Sequence, residues 1–258
     1  FTLPDWLDNA DDETTAKSRL ANYIQTVAGQ YKDAKYIDVV EDAIFVHDNV
    51  IGYRAADKLW YSEYDYTAER VPDYLLQAFY LARTYAPEAV LGYVDYGIMN
   101  NTLKYQFMRV MVQSMIDRND PIKPDIITFK DQLWVGWQDL FRTFTSINDL
   151  GLMEIGSVLA PLGVVAHSND VSPTTQLITT SFSANGQAAI YATLYKACML
   201  NPYCKGFEPR IAFDKRNGYT AYAPGLFDAD YSPKAAITAM KSVASGSYLW
   251  IDQFIDNL

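Results

Sequence analysis

Short apolar runs alternate with longer segments of helical periodicity along most of this chain. The runs at 36–40 and 90–96 are typical of buried strands, whereas 72–86 and 184–200 repeat apolar residues at helical spacing. This alternation predicts an α/β fold in which helices cover a parallel sheet. The periodicity does not distinguish an open doubly wound sheet from a closed barrel. The same reasoning predicts further strands within 121–130, 152–159 and 205–213, and further helices over 103–118, over 137–150 and from about Pro233.

Length and composition indicate one globular domain. Half of the 258 residues are hydrophobic and 20% are charged, which supports one large core and gives no sign of disorder. We predict a single domain over 1–258, with an N-terminal segment and helix in 1–35, β/α units in 36–240 and a C-terminal extension in 241–258. The sequence contains no glycine-rich phosphate loop and no Ser-His-Asp motif, and we expect no cofactor.

The net charge of −10 restricts the partners of the chain. An acidic surface repels the phosphates of nucleic acid and of anionic lipid, so we expect neither nucleic acid nor a membrane as a partner. No apolar run reaches the roughly 18 residues that a membrane-spanning helix needs. A neutral polysaccharide is not repelled by such a surface.

Six segments carry motif residues in a fixed order between about Leu3 and Ala239. They are YIDVVEDA (compare W-D-V-V-N-E-A), VLGYVDYGI (N-D-Y-N), PIKPDIITFKDQL (P-I-D-G-I-G-x-Q-x-H-L), LGLMEIGSVLA (I-T-E-L-D), ACMLNPYCKGF (A-C-x-x-x-x-x-C-x-G) and PGLFDADYSPKAA (P-L-L-F-D-x-x-Y-x-P-K-P-A). Together they resemble glycoside hydrolase family 10, a family of endo-β-1,4-xylanases. The resemblance implies a (β/α)8 TIM barrel whose active site lies at the carboxyl ends of the strands.

The resemblance covers the second part of the family's barrel. The opening FTLPDWL resembles the segment W-H-x-Q-L-P-x-W-L, which follows the family's third strand. The five predicted strands then correspond to the fourth to eighth, so we expect a partial barrel of the last five β/α units. Its edge strands, 36–40 and 205–213, carry apolar residues that should not face water. We expect an upstream segment, helices folded across the edges, or a protein partner or second subunit to cover them.

The resemblance locates the two carboxyl groups that a retaining glycosidase needs about 5–5.5 Å apart. The acid of the N-E-A motif aligns with Asp42, whose side chain is one methylene shorter, and the preceding Asn aligns with Glu41. The nucleophile of the I-T-E-L-D motif aligns with Val158. Valine cannot attack an anomeric carbon, so the match implies a barrel without its catalytic residues.

Other positions of the family's sugar cleft are also altered. Basic residues appear at two strand ends, where Arg210 replaces a Trp and Lys130 replaces a Gln. We predict an ion-pair cluster in which Arg210 lies near Glu41 or Asp42. A new catalytic site, or ligand binding without turnover, are the alternatives. The aligned positions of the former substrate cleft are Asp95, Tyr96, Lys130, Gln132 and Arg210.

The remaining candidate sites are weaker. Cys198 and Cys204 flank an Asn-Pro turn in the family's A-C…C-x-G segment, and we expect them to form a disulfide rather than to remain two buried thiols. Asn100 opens a glycosylation sequon, which is a short and weak pattern. His47 and His167 show no metal-ligand spacing, so we expect surface histidines and no metal site.

These observations predict a non-catalytic, xylanase-like protein that is secreted or held at the cell surface. Its role would be structural, in assembly, or associated with a xylan-like polysaccharide. The alternative is a weakly active endo-β-1,4-xylanase that uses Asp42 or Glu41 for proton transfer.

Overall fold

The computed structural model describes residues 12–48, 50–54, 69–118, 122–134, 140–165, 184–209, 225–228 and 230–246. The chain divides into two compact units. Unit 1 comprises Phe1–Thr128 and Met153–Ile155, and unit 2 comprises Phe129–Leu152 and Gly156–Leu258. The prediction of a single domain stays a prediction.

Unit 1 contains a sheet with one helix packed on it, a second helix packed against that helix, and a third helix beside a short hairpin. The first helix begins where the Asp12 carboxylate accepts a hydrogen bond from the Thr15 amide, at 2.8 Å. The elements are α1 (Glu13–Gln30), β1 (Tyr36–Glu41), β2 (Ile44–His47), β3 (Val50–Tyr53), α2 (Asp73–Tyr85), β4 (Val90–Tyr96), α3 (Thr102–Ile116) and β5 (Ile126–Lys130), whose last two residues belong to unit 2.

The strands of unit 1 lie in the order β1, β4, β5. β1 pairs with β4 in parallel, from Tyr36 opposite Val90 to Glu41 opposite Val94. Five consecutive residues of β4, from Leu91 to Asp95, are buried, as expected for a parallel strand covered on both faces. Because β1 and β4 run in the same direction, their carboxyl ends meet at one edge of the sheet.

Unit 2 follows the same strand–helix pattern. Its further elements are β6 (Gln132–Trp134), α4 (Leu140–Leu152), β7 (Gly156–Val165), α5 (Ala184–Leu200), β8 (Cys204–Pro209) and α6 (Ala235–Ala244). β7 pairs in parallel with both β6 and β8. The ring of Phe207 in β8 packs edge-on against Tyr191 and Tyr195 of α5, which attaches the helix to the sheet.

All five predicted strands are present, although residues 210–213 of the last one lie outside the described residues. The strand predicted over 152–159 begins later, at Gly156, because Leu152 ends α4 and Glu154 turns the chain at φ +60°. The β2–β3 hairpin was not predicted at all. None of the helices in the described part of the chain is long and apolar enough to cross a bilayer.

Candidate functional site

Asp42 is the first residue after β1, at the carboxyl edge of the unit 1 sheet. Its φ of +54° is uncommon for a residue other than glycine, although Asp adopts it more readily than most. Its amide donates to the Val94 carbonyl at 2.8 Å, and its Oδ1 accepts from the Tyr96 amide at 2.9 Å. The side chain is buried, at 7% exposure. The carboxylate is therefore bound to the backbone that ends β4.

Asp95 lies beside Asp42 and is fully buried. It accepts hydrogen bonds from the Tyr93 hydroxyl, from the Tyr96 amide at 2.8 Å and from the Ile44 amide at 3.3 Å. Burial raises the pKa of Asp95. The nearby Lys104 charge opposes this rise in pKa, and the negative charge of Asp42 adds to it.

Lys104 completes this group, which we call the β1–β4 cluster: Asp42, Tyr93, Asp95 and Lys104. The Lys104 Nζ lies 2.6 Å from Asp95 Oδ1 and donates to the Tyr96 carbonyl, also at 2.6 Å. Lys104 lies in the first turn of α3, where its amide is capped by the Asn101 side chain at 3.0 Å. The cluster thus fixes the end of β4 to the start of α3.

Sequence reasoning missed Lys104. Its place in the first turn of a predicted helix was a weak signal, because a cation there opposes the helix dipole, but the sequence spacing does not identify Asp95 as its partner. Asp95 was recognised, but only as a motif residue. Two further predicted positions of unit 1, Glu41 and Tyr96, are exposed at the carboxyl ends of β1 and β4.

The predicted positions of unit 2 lie on several strands. Val158 is in β7 opposite Gly206 of β8, and a Cβ placed on Gly206 would lie 3.4 Å from a Val158 methyl. The valine therefore packs over the backbone of its neighbouring strand. Lys130 ends β5 and is half-buried, and Gln132 is the first residue of β6.

Some predictions lie outside the described residues. Arg210 is one, so its predicted ion pair with Glu41 or Asp42 stays a prediction. His167 is another, whereas His47 is at the surface beside Asp48, with 3.2 Å between Nδ1 and Oδ2. Across the described ranges, no three His, Cys, Asp or Glu side chains are grouped as metal ligands would be.

The predicted disulfide between Cys198 and Cys204 is confirmed, with 5.0 Å between the two Cα atoms. It ties the end of α5 to the start of β8. Asn100 is exposed in the turn that follows β4. Its glycosylation stays a prediction.

The sequence model of glycosyl hydrolase family 10 matches residues 2–243, which is almost the whole chain. The chain belongs to glycosyl hydrolase family 10. This confirms the family predicted from the six motif segments.

Curated relatives of this family 10 chain are named xylanases. The chain is 27% identical over 246 residues to endo-1,4-beta-xylanase B of Neocallimastix patriciarum, covering 95% of this chain and 26% of the relative. It is 23% identical over 257 residues to endo-1,4-beta-xylanase B of Thermotoga neapolitana, covering 93% of this chain and 66% of the relative. The chain therefore spans less than two thirds of either protein.

Solved structures confirm the barrel-type α/β fold. Native xylanase 10B from Thermotoga maritima superposes with a TM-score of 0.78 at 22% identity, over 96% of this chain and 72% of that one. Native xylanase10C from Cellvibrio japonicus also gives a TM-score of 0.78, at 20% identity, over 95% of this chain and 54% of that one. The described strands β1, β4, β5, β7 and β8 are those of a family 10 barrel segment.

Proposed function

We propose that this family 10 chain is a non-catalytic, xylanase-like protein with a structural, assembly or carbohydrate-associated role. The observation that carries the proposal is Val158, which occupies the position that the sequence match assigns to the nucleophile. In a retaining glycosidase the nucleophile is a carboxylate, which forms a covalent bond to the sugar. The Val158 side chain has no atom that can form the bond.

The β1–β4 cluster supports the same proposal from the acid side. The catalytic acid must present its proton to the leaving oxygen of the substrate. Asp42 instead accepts a hydrogen bond from the Tyr96 amide, and its backbone is fixed to Val94. Asp95 is paired with Lys104 inside the fold. These contacts favour a framework role for both carboxylates.

We place the protein outside the cell, or at its surface, and assign it a xylan-like polysaccharide as its partner. The Cys198–Cys204 disulfide supports an oxidising compartment. The curated relatives are named xylanases, and one solved relative, xylanase10C from Cellvibrio japonicus, is in complex with xylopentaose. The acidic net charge of −10 does not disfavour a neutral glycan.

A weakly active xylanase is the second candidate function. It is favoured by the survival of a buried carboxylate, Asp42, at the carboxyl end of β1. In this version Asp42 or Glu41 donates the proton to the leaving oxygen of the substrate.

Release of reducing ends from xylan distinguishes the two functions. We expect no release by the wild type, and none by Val158→Glu, because Asp42, Lys130 and Arg210 still differ from the family pattern. Turnover on the order of 1 per second or more that disappears in Asp42→Ala, but persists in the control Asp48→Ala, would establish the weak enzyme. Asp48 is an exposed acid outside the cluster.

Two further measurements distinguish the carbohydrate-associated role of a non-catalytic protein from a role in assembly. Retardation of the chain in a xylan-containing native gel supports carbohydrate association. A defined oligomer in sedimentation velocity, without retardation, supports assembly. A monomer that neither binds nor hydrolyses xylan would contradict both roles.

A further inference from the structure

A second candidate site lies at the other end of the unit 1 sheet, near the amino ends of β4 and β5. A cavity of about 330 Å³ is lined there by one face of α2, by Leu91 of β4 and by the segment that precedes β5. Its volume is at the lower end of the range of about 300–1,000 Å³ that is typical of small-molecule sites. The β1–β4 cluster is at the carboxyl ends of the same strands, so the cavity is separate from the inherited cleft.

The polar wall of the cavity is an ion pair whose members also bind backbone groups. The Arg83 NH2 group lies 2.5 Å from Asp125 Oδ2, and NH1 donates to the carbonyls of Ala89 at 2.7 Å and Pro87 at 3.1 Å. Asp125 Oδ2 also accepts from the Leu91 amide at 2.8 Å. The pair is about 40% exposed, so its donors and acceptors are accessible to a ligand, and its existing hydrogen bonds reduce the side-chain entropy that is lost on binding.

Lys123 adds a cation to the lining of the cavity. It is half-buried and, among the described residues, donates one hydrogen bond, to the Met153 carbonyl at 3.5 Å, the outer limit of such bonds. An ammonium has three donors. Arg83, Lys123 and Asp125 together carry one net positive charge, in a chain whose net charge is −10. This local reversal of charge favours an anionic group as the ligand.

Tyr80 supplies an apolar surface at the rim. Its side chain is 52% exposed, and its neighbour Phe79 is buried beneath the cavity wall. An exposed aromatic ring binds the apolar face of a flat ring-shaped ligand at low entropic cost. A sugar ring presents such a face, together with hydroxyl groups that match the Arg83–Asp125 pair.

We propose that this cavity binds the uronic acid unit of an acidic xylan-type oligosaccharide. Lys123 pairs with the carboxylate, the Arg83–Asp125 pair binds ring hydroxyls, and Tyr80 stacks on the ring. The proposal rests on the carbohydrate-associated role proposed above and specifies the sugar and the site.

Calorimetric titration of the whole chain with three probes tests whether the cavity binds a uronic acid unit. The probes are xylotetraose, xylotetraose substituted with one glucuronic acid, and sodium acetate. We expect the acidic oligosaccharide to bind about tenfold or more tightly than the neutral one, the effect of one hydrogen bond to a charged group. Acetate should not compete. Equal affinity for both sugars, or competition by acetate at similar concentration, would overturn the proposal.

Two substitutions assign the binding to this cavity. Lys123→Gln should remove the preference for the acidic sugar, whereas the control Lys205→Gln should retain it, since Lys205 also donates one bond to a backbone carbonyl but is elsewhere. Tyr80→Ala should weaken binding of the acidic oligosaccharide about tenfold or more, whereas the control Tyr23→Ala, with the same 52% exposure, should not.

The outcomes separate this site from the proposed function. Binding of the acidic sugar that is unchanged by Lys123→Gln and Tyr80→Ala would refute the site and leave the carbohydrate-associated role intact. No binding of either oligosaccharide would refute both.

Discussion

The Lys104 ammonium lies 2.6 Å from a carboxylate oxygen of Asp95, and the two side chains are only 6% and 0% exposed. An ion pair removed from water is held by its partners, because each charge alone would be poorly solvated. This pair joins the end of β4 to the first turn of α3. It links two of the four members of the β1–β4 cluster.

Removing one partner of this pair should be costly. We expect Lys104→Met to lower the free energy of unfolding by about 3–5 kcal/mol, because it leaves the Asp95 charge buried and unpaired. The double variant Asp95→Asn/Lys104→Met should recover much of that loss. The control Lys17→Met, which breaks partly exposed ion pairs with Glu13 and, at 4.0 Å, with Asp73, should cost about 1 kcal/mol or less. Chemical denaturation measures all three, and equal losses in the two single variants would contradict the account.

The pH dependence of stability provides a separate test of Asp95. Burial raises its pKa above the ordinary 3.8, so the native state holds this proton over a pH range in which the unfolded chain has released it. Stability contributed by such a group falls as pH rises through that range. We expect the free energy of unfolding of the wild type, relative to Asp95→Asn, to be greatest below about pH 4 and to decrease at higher pH. A relative stability that increases with pH would show that the pKa is lowered.

The absence of a side chain at Gly92 is required by its neighbours. A Cβ there would overlap the Tyr36 hydroxyl and the Asp38 carboxylate, which are hydrogen-bonded to each other. The Tyr36 hydroxyl also forms a hydrogen bond with the Thr128 hydroxyl at 2.8 Å. We expect Gly92→Ala to destabilise the protein by about 1–3 kcal/mol. In the matched control Gly29→Ala, in α1, the new methyl meets nothing within 4 Å and should stabilise by about 0.5–1 kcal/mol. Thermal or chemical denaturation that ranks the two variants in the opposite order would refute this packing.

The disulfide closes a short loop, so its contribution to the free energy of unfolding should be small. For a separation of six residues, the loss of chain entropy predicts that Cys198→Ser/Cys204→Ser lowers the free energy of unfolding by about 2 kcal/mol. Non-reducing mass spectrometry should show the two cysteines linked in the native protein. Two thiols that alkylate without reduction would contradict the bond.

Helices and strands were predictable where apolar residues keep one spacing through a whole segment. The strand at 90–96 and the helix at 184–200 match their predicted bounds. The β7 strand was placed too early, because the apolar residue Leu152 precedes a left-handed turn at Glu154, which pattern reasoning does not detect. The β2–β3 hairpin was missed because its strands have only four residues each, too few to establish a period.

Residues of the β1–β4 cluster were predictable only where they align with a position of a family motif. Asp42 and Asp95 were found through motif segments, and both lie at the carboxyl edge of the sheet as the resemblance implied. The partner Lys104 was not, because the pairing depends on how α3 folds back beside β4 rather than on sequence spacing. The cavity beside Tyr80 and Lys123 was missed for the same reason, since its walls come from separate elements.

Covalent trapping tests most directly the central claim, that Val158 leaves this chain without a nucleophile. A retaining family 10 enzyme incubated with a 2-fluoro-xylobioside that carries a good leaving group accumulates a glycosyl-enzyme intermediate, which intact-protein mass spectrometry detects. We expect the mass of this chain to remain unchanged, while an active family 10 xylanase treated in parallel gains one 2-deoxy-2-fluoroxylobiosyl group. A stoichiometric adduct on this chain, located by peptide mapping to an Asp or Glu, would contradict the account.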